Sequence, residues 1–421
     1  MTTNIPGAYR AITFATLAFA ANFSVWTLYA VLGLELQAQL NLTATQLGLF
    51  FSAPVLTGAL GRIPAGILVE RYRPKNLYAW QMLLTVPPLF ALPYVQSLQE
   101  YIALGLWIGL SGTSFTIGIR YVTDWFETRQ QGTAMGIFGA GNTGAAITLA
   151  LAPLLVEHWG WGSLGPIYGA GLLATTFFFA LFAPQRPYQP TRLHPTLSAM
   201  EALKILQVWR FGLYYYFVFG SFLALILWLP QYYARAYDLN NQQAMAFTLF
   251  FVATSSMVRA LGGWFADRYG GRAVNWMVFW ICLVCLFFLC YPPTTMTIHG
   301  IDHDVTLSIE INVWIFTGLI FVIGIAQGFG RASVYKTIHD YFPQQMGLIG
   351  GLVAAMGALG GCTLPIAFGL AVDLMGIYSA CFMVLYAVLA CCMIVMFLAL
   401  KTDRFRRRVE HAYAHNFLED D

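Results

Sequence analysis

Charge is what this sequence lacks: only 10% of its 421 residues are Asp, Glu, Lys or Arg, against about 25% in a soluble domain. So few charges cannot coat a water-facing surface, which excludes a soluble globular protein of this length. The 58% of hydrophobic residues and the mean hydropathy of +0.65 point to lipid as the surrounding medium. The net charge of +3 is small and gives no ground for a nucleic-acid partner. Metal-ligand clusters are missing too. Cys282 and Cys285 have the spacing of half a zinc site, but no second pair or nearby histidine completes it. All seven cysteines lie inside apolar runs and read as small core residues. There is no Walker loop, no dinucleotide-binding glycine pattern after a strand, and no Ser/His/Asp set in a credible context. Neither an enzyme nor any cofactor is expected. The opening MTTNIPGAYR lacks a charged n-region followed by a cleavage site, so the first apolar run is expected to be retained as a span.

What the chain does have is a succession of apolar stretches, each near the ~20 residues that carry a helix across a bilayer. They fall near 11–33, 44–69, 77–95, 101–119, 132–155, 164–184, 210–230, 243–264, 274–292, 312–330, 347–370 and 376–400. Continuous hydrophobicity with Gly and Pro inside the runs argues for helices and against barrel strands. The expected fold is an all-α membrane protein with twelve transmembrane helices. One long polar connection, 185–209, follows the sixth span. It divides the chain into a six-helix bundle (1–184), a cytoplasmic linker (185–209), a second six-helix bundle (210–400) and a cytoplasmic tail (401–421). A second polar loop is expected near 293–311. With both termini in the cytoplasm, every basic residue except Arg62, Arg235 and Arg259 falls inside, Arg331 among them. That asymmetry follows the positive-inside rule and predicts a multi-pass protein of the plasma (inner) membrane. The histidines all fall in loops or tails.

Arg62 and Arg259 are thus left within the second and eighth spans. A cation at mid-membrane costs a few kcal/mol or more and usually faces a cavity on a substrate path. Snorkelling to the interface is the bland alternative. Pairing is not available, since every acidic residue falls in a loop, a tail or a span end. The two positions also correspond. Arg62, Gly66, Glu70, Arg71 and Tyr72 map onto Arg259, Gly263, Asp267, Arg268 and Tyr269 at one constant offset. That is the mark of a duplicated six-helix unit, whose equivalent helices lie on opposite sides of a central cavity. Two facing guanidiniums without carboxylates call for an anion, and their planar donor forks suit a flat oxyanion.

The loop GWFADRYGGR (263–272) resembles the G-x-x-x-D-R-x-G-R pattern of the major facilitator superfamily. The first-half copy, GILVERYRPK (66–75), departs from it at Glu70 and Arg73. More narrowly, the chain resembles the nitrate/nitrite porter family, through the Gly-rich runs GIFGAGNTGAA (136–146) and GGLVAAMGALGG (350–361) together with both arginines. The resemblance implies the major facilitator fold and a small inorganic anion, nitrate or nitrite, as substrate. It assigns substrate binding to Arg62, Arg259 and Asn142; the second signature carries Ala358 in place of a second asparagine. Tyr215 and Phe219, four apart on the seventh span, resemble the family's aromatic lining, with Phe115 and Phe23 as further candidates. Gly139, Gly141, Gly144, Gly357, Gly360 and Gly361 are the expected flexing points, and Glu70, Arg71, Asp267 and Arg268 the expected cytoplasmic locking motif. A monomer in the lipid bilayer is implied by the same resemblance. No carboxylate lies well inside a span, and an empty site would bring two positive charges together. Nitrate/nitrite exchange is therefore expected. Proton-coupled nitrate import is the alternative, as is a porter, channel or sensor for another small inorganic anion.

Overall fold

A computed structural model describes residues 6–126, 131–186, 199–299 and 304–416. Among these, ten helices are long and apolar enough to cross a membrane: Ala8–Gln39, Ala44–Arg71, Leu98–Thr123, Ala134–Trp159, Trp161–Phe182, Leu206–Ala236, Gly271–Leu289, Val313–Tyr341, Leu348–Met375 and Ala380–Thr402. The pair Asn241–Met257 and Arg259–Tyr269, bent by 41°, makes an eleventh. Pro74–Ala91, 18 residues with Pro87 and Pro88 inside, takes the remaining place. In chain order these are spans 1 to 12. Residues 187–198 of the expected linker and 417–421 of the expected tail lie outside the described residues, as do Arg129 and Arg192.

The spans start where the sequence supplies a cap. Thr43 with Gln46, Ser97 with Glu100, and Asn240 with Gln243 form capping boxes at the starts of spans 2, 4 and 8. Asn312 caps span 10. All four lie at the end of the molecule opposite residues 8 and 402, where the free N–H groups of a span start meet water and need an acceptor. The expected polar loop near 293–311 is instead partly a hairpin, Thr294–His299 paired antiparallel with Asp304–Ile309. The register explains it. Met296 opposes Leu307 and Ile298 opposes Val305, while Thr297 opposes Thr306 and His299 opposes Asp304. The period-2 alternation of apolar and polar residues is a strand signal hidden inside a segment that looks merely polar.

Helix pairings within the first six spans recur in the last six: 2 with 4 and 8 with 10, 3 with 6 and 9 with 12, 1 with 5 and 7 with 11. Between the two sets, span 2 lies along span 11, span 5 against span 8, and span 1 against span 7. The contact of spans 2 and 11 is close because it lacks side chains in two places. A Cβ on Gly48 would meet the Pro365 carbonyl oxygen at 2.3 Å, and one on Gly369 the Ala44 carbonyl oxygen at 2.1 Å. Lower down, the Ser52 hydroxyl donates to the Cys362 carbonyl.

Polar bonds close this end. Both oxygens of the Asp373 carboxylate accept from the start of span 2, from Ala44 N at 3.1 Å, Thr45 N at 2.8 Å and the Thr45 hydroxyl at 2.5 Å. Asn241 donates to Glu35 at 2.7 Å and Gln242 to Glu157 at 2.8 Å. Each bond joins one set of six spans to the other. In a variant without the native cysteines, Thr45→Cys with Asp373→Cys is expected to form a disulfide under mild oxidation and lock this end shut. Anion passage measured in vesicles should stop on oxidation and return on reduction; unchanged passage in the cross-linked protein would contradict the closure described.

Candidate functional site

Five helix irregularities lie at one depth. Span 2 breaks at Gly61, directly before Arg62, and span 8 at Val258, directly before Arg259. Span 4 tightens to a 3₁₀ turn at Gly109–Thr113, span 5 at Ala140–Thr143, and span 7 widens to a π turn at Tyr216–Gly220. Such breaks free backbone groups from the helix ladder, and at membrane depth they persist where protein or a cavity satisfies those groups. The expected site residues gather around them.

Arg62 is 5% exposed. Its Nη1 donates to the Ala354 carbonyl of span 11 at 3.0 Å and its Nε to the Gly112 carbonyl of the span 4 turn at 3.3 Å. Three rings surround the guanidinium: Phe115 at 5.4 Å, Trp26 at 5.6 Å and Phe219 at 5.7 Å. Cation–π attraction partly replaces the lost hydration. Tyr215 stacks on Phe219 with centroids 5.3 Å apart, and Tyr335 meets Tyr215 edge-on at 5.2 Å. Both phenols lie within electrostatic reach of Arg62. Phe23 is buried against Phe19 and Trp26, at 5.7 and 5.6 Å. Of the span 1 rings, it is Trp26, nearly one turn further on, that faces Arg62.

Arg259 is half-buried, and Tyr335 lies within electrostatic reach of it as well as of Arg62. Its guanidinium lies over Gly139 of span 5, where an added Cβ would meet Nη1 at 3.1 Å and Cζ at 3.3 Å. The first Gly-rich run is thus the floor on which the second arginine rests. Asn142, 2% exposed, stands three residues on. The remaining glycines of both runs are contact points as well. Gly141 faces Phe19, Gly144 the Ala20 carbonyl, Gly357 the Tyr215 ring, Gly360 the Tyr216 carbonyl and Gly361 Leu223. Span 5 packs on span 1 through the first run as span 11 packs on span 7 through the second.

Three of the site's residues, Trp26, Tyr335 and Arg331, are not singled out by the sequence, and Arg331 brings a correction. Arg331, placed there at a cytoplasmic span end, is fully buried in span 10, ten residues before that helix ends at Tyr341. The apolar run in the sequence stops at 330, where the charge itself makes the boundary; Ala332, Val334 and Ile338 continue the helix beyond it. Tyr335 was hidden by the same boundary. The loop motif is arranged differently from expectation too. Glu70 pairs with Arg120 of span 4 at 3.2 Å, and Asp267 with Lys336 of span 10 at 3.5 Å. Each ion pair lies within one set of six spans. Arg71 is exposed, and Arg268 rests on Trp264 of its own helix at 5.6 Å. Among the described residues, none of Arg62, Arg259 and Arg331 is ion-paired with a carboxylate.

Residues 14–302 match the sequence profile described as Major Facilitator Superfamily. A probable nitrate/nitrite antiporter of Thermus thermophilus is 33% identical over 91% of this chain and 90% of its own length. A nitrite extrusion protein of Bacillus subtilis is 28% identical over 89% and 90%. In fold, the chain resembles a bacterial homolog of the human lysosomal transporter Spinster in an inward-facing, occupied conformation. The TM-score is 0.72 at 14% identity, covering 94% of this chain and 97% of that one.

Gly139→Ala isolates the role of the floor. Its methyl would displace the free end of a flexible side chain, not backbone, so the protein should remain folded in gel filtration. The moved Arg259 guanidinium should weaken anion binding about tenfold, roughly 1.4 kcal/mol, read from anion-dependent quenching of tryptophan fluorescence. Unchanged affinity would remove Gly139 from the site.

Proposed function

As a chain that belongs to the major facilitator superfamily and, within it, to the nitrate/nitrite porters, this protein is a secondary transporter, and we propose that it exchanges nitrate for nitrite at the paired arginines. One observation carries the reading: Arg62 and Arg259, at duplicated positions, each reach across to the other half, Arg62 to the Ala354 carbonyl of span 11 and Arg259 over Gly139 of span 5, and among the described residues neither is ion-paired with a carboxylate. A planar monoanion between two guanidinium forks receives parallel N–H···O bonds from both. Asn142, Tyr215 and Tyr335 offer further donors, and Phe115, Phe219 and Trp26 exclude water around the ion. Phe23 then acts by holding Trp26.

The glycines fit a moving part. Spans 5 and 11 touch spans 1 and 7 through backbone and ring faces, contacts that can slide without opening voids. We take Gly139, Gly141, Gly144, Gly357, Gly360 and Gly361 as the places where that sliding occurs, the two bundles being 1–184 and 210–400. The end closed by Asp373, Glu35 and Glu157 is then the external one, with both termini cytoplasmic, and the site opens alternately to either side.

Exchange follows from electrostatics. An empty site closing on itself brings guanidiniums together in a medium of low dielectric, while a bound anion screens them. Proton coupling usually employs an intramembrane acid or histidine, and no such residue touches these arginines. The chain is read as a monomer in the plasma membrane. In liposomes holding the purified protein, nitrate uptake should require internal nitrite and fall at least 100-fold (about 2.7 kcal/mol) in Arg62→Ala and Arg259→Ala. Uptake into nitrite-free vesicles driven by an inward proton gradient would replace exchange with proton symport.

A further inference from the structure

The duplication that pairs Arg62 with Arg259 is broken on span 10 in a way that adds a charge. In the first half, Glu70 pairs with Arg120 of span 4; in the second, Asp267 pairs with Lys336 of span 10. Five residues before Arg120 is Phe115, which faces Arg62. Five residues before Lys336 is Arg331. An arginine therefore occupies in the second half the place that a phenylalanine holds in the first. Spans 1 and 7 mirror each other alongside: Phe19, Phe23 and Trp26 stand at a single offset from Tyr215, Phe219 and Phe222. Trp26 faces Arg62, and Phe222 faces Arg331 with the guanidinium carbon only 3.9 Å from the ring centroid.

Arg331 is held more firmly than either substrate arginine. Its Nη2 donates to the Ser255 carbonyl at 2.5 Å and the Ser255 hydroxyl at 2.7 Å, and its Nε to the Gln327 carbonyl at 3.3 Å. Gln327 is fixed in turn by donating to Ser221 at 2.7 Å. No solvent reaches the side chain and its Nη1 has no partner, and the Ser255 that it binds stands four residues before Arg259 on span 8. A buried cation with an idle donor and no counter-charge is a poor structural element, since apolar residues of similar volume usually serve stability as well or better. Its value must come from the charge.

We propose that Arg331 is a positioning residue whose fixed positive charge drives the Arg259 guanidinium across the interface onto Gly139 and makes closure of the empty site prohibitive, so that exchange is obligatory. The proposal rests on the exchange reading above. Closing an empty site sets the single charge of Arg62, in the first half, against two in the second. A bound monoanion between Arg62 and Arg259 offsets the nearer repulsion. Without Arg331 the empty carrier faces only one like-charge pair, and its return is no longer blocked. Arg259, no longer repelled, also loses the force that holds it forward.

The test uses the full chain in potassium-filled liposomes with valinomycin to dissipate charge, measuring nitrate uptake with nitrite inside or with no transportable anion inside. Four proteins are compared: wild type, Arg331→Lys, Arg331→Gln and Arg331→Met. The methionine variant replaces the buried charge with an apolar chain of similar length, so that folding is preserved if the glutamine fails. Wild type and Arg331→Lys should take up nitrate only against internal nitrite. Arg331→Met and Arg331→Gln should gain uptake into nitrite-free vesicles, about tenfold above wild type, the effect on a rate of removing about 1.4 kcal/mol of like-charge repulsion. Their KM for exchange should rise as Arg259 relaxes. A gain of net flux that saturates with nitrate distinguishes carrier return from leakage through misfolded protein, which does not saturate. Exchange without net uptake in both neutral variants would overturn the proposal. So would leakage through Arg331→Lys equal to that of Arg331→Met, which would make shape and not charge the cause. Loss of exchange in both neutral variants would place Arg331 among the substrate ligands and overturn the positioning role. Net uptake by the wild type, visible in its own arm, would instead remove the exchange reading.

Discussion

Three guanidiniums are kept inside a bilayer-spanning protein with no carboxylate among the described residues to neutralise them, and much of the architecture answers that constraint. Each such charge is expensive at membrane depth unless hydration is replaced. The replacement here comes from two sources. Aromatic faces supply negative quadrupole: Trp26, Phe115 and Phe219 around Arg62, and Phe222 against Arg331. Carbonyl oxygens supply the rest. The Gly112 carbonyl that accepts from Arg62 belongs to the 3₁₀ turn of span 4, while the Ala354 and Gln327 carbonyls accept from within continuous helices on a second lone pair. A broken helix at this depth without a donor would leave its own carbonyls unsatisfied, so the break in span 4 and the charge of Arg62 serve one another.

Glycine determines how near the pieces come. Arg259 reaches its position only because Gly139 presents bare backbone, and Arg62 reaches the Ala354 carbonyl because spans 2 and 11 approach so closely. In lipid, apolar contact between helices brings little gain over contact with acyl chains, so close backbone approach and interhelical hydrogen bonds carry the association. The same contacts suit repeated opening. A glycine face slides over a carbonyl or a ring without withdrawing a side chain from a socket. Gly357 on Tyr215 and Gly141 on Phe19 are such faces, one in each half.

Much of this could be read from the residues. The spans declare themselves by length and hydropathy, and the arginine pair by its repeated surroundings from Gly66 to Tyr72 and from Gly263 to Tyr269. What could not be read follows from how hydropathy works. A charge ends an apolar run whether or not it ends a helix, so span 10 was closed at Arg331 although the helix continues to Tyr341. Tyr335 was lost with it. Hydropathy also gives no azimuth. On span 1 both Phe23 and Trp26 are apolar and buried, and only the rotation of the helix decides that Trp26 faces Arg62. The hairpin at Thr294–His299 was obscured because alternating Thr with Met and Ile reads as a polar average. Its signal lay in the period, not the mean.

The two ends of the molecule hold their charges in different ways, and the difference bears on how the halves move. At the end nearer Asp373 the polar bonds cross from one half to the other: Asp373 to Thr45, Asn241 to Glu35, Gln242 to Glu157. At the opposite end the ion pairs Glu70–Arg120 and Asp267–Lys336 each stay within a half. Those two pairs stay whole when the halves move relative to one another. Each hydrogen bond of the closed end is worth about 0.5–3 kcal/mol net and is replaced by water on opening. A handful of them is a seal the protein can break thermally. Two alternately closed states need to differ by only a few kcal/mol if both are to be visited. Such weak seals leave the balance to the centre, where like charges approach or withdraw. The gates are therefore permissive, and the decision to close rests with the arginines and whatever lies between them.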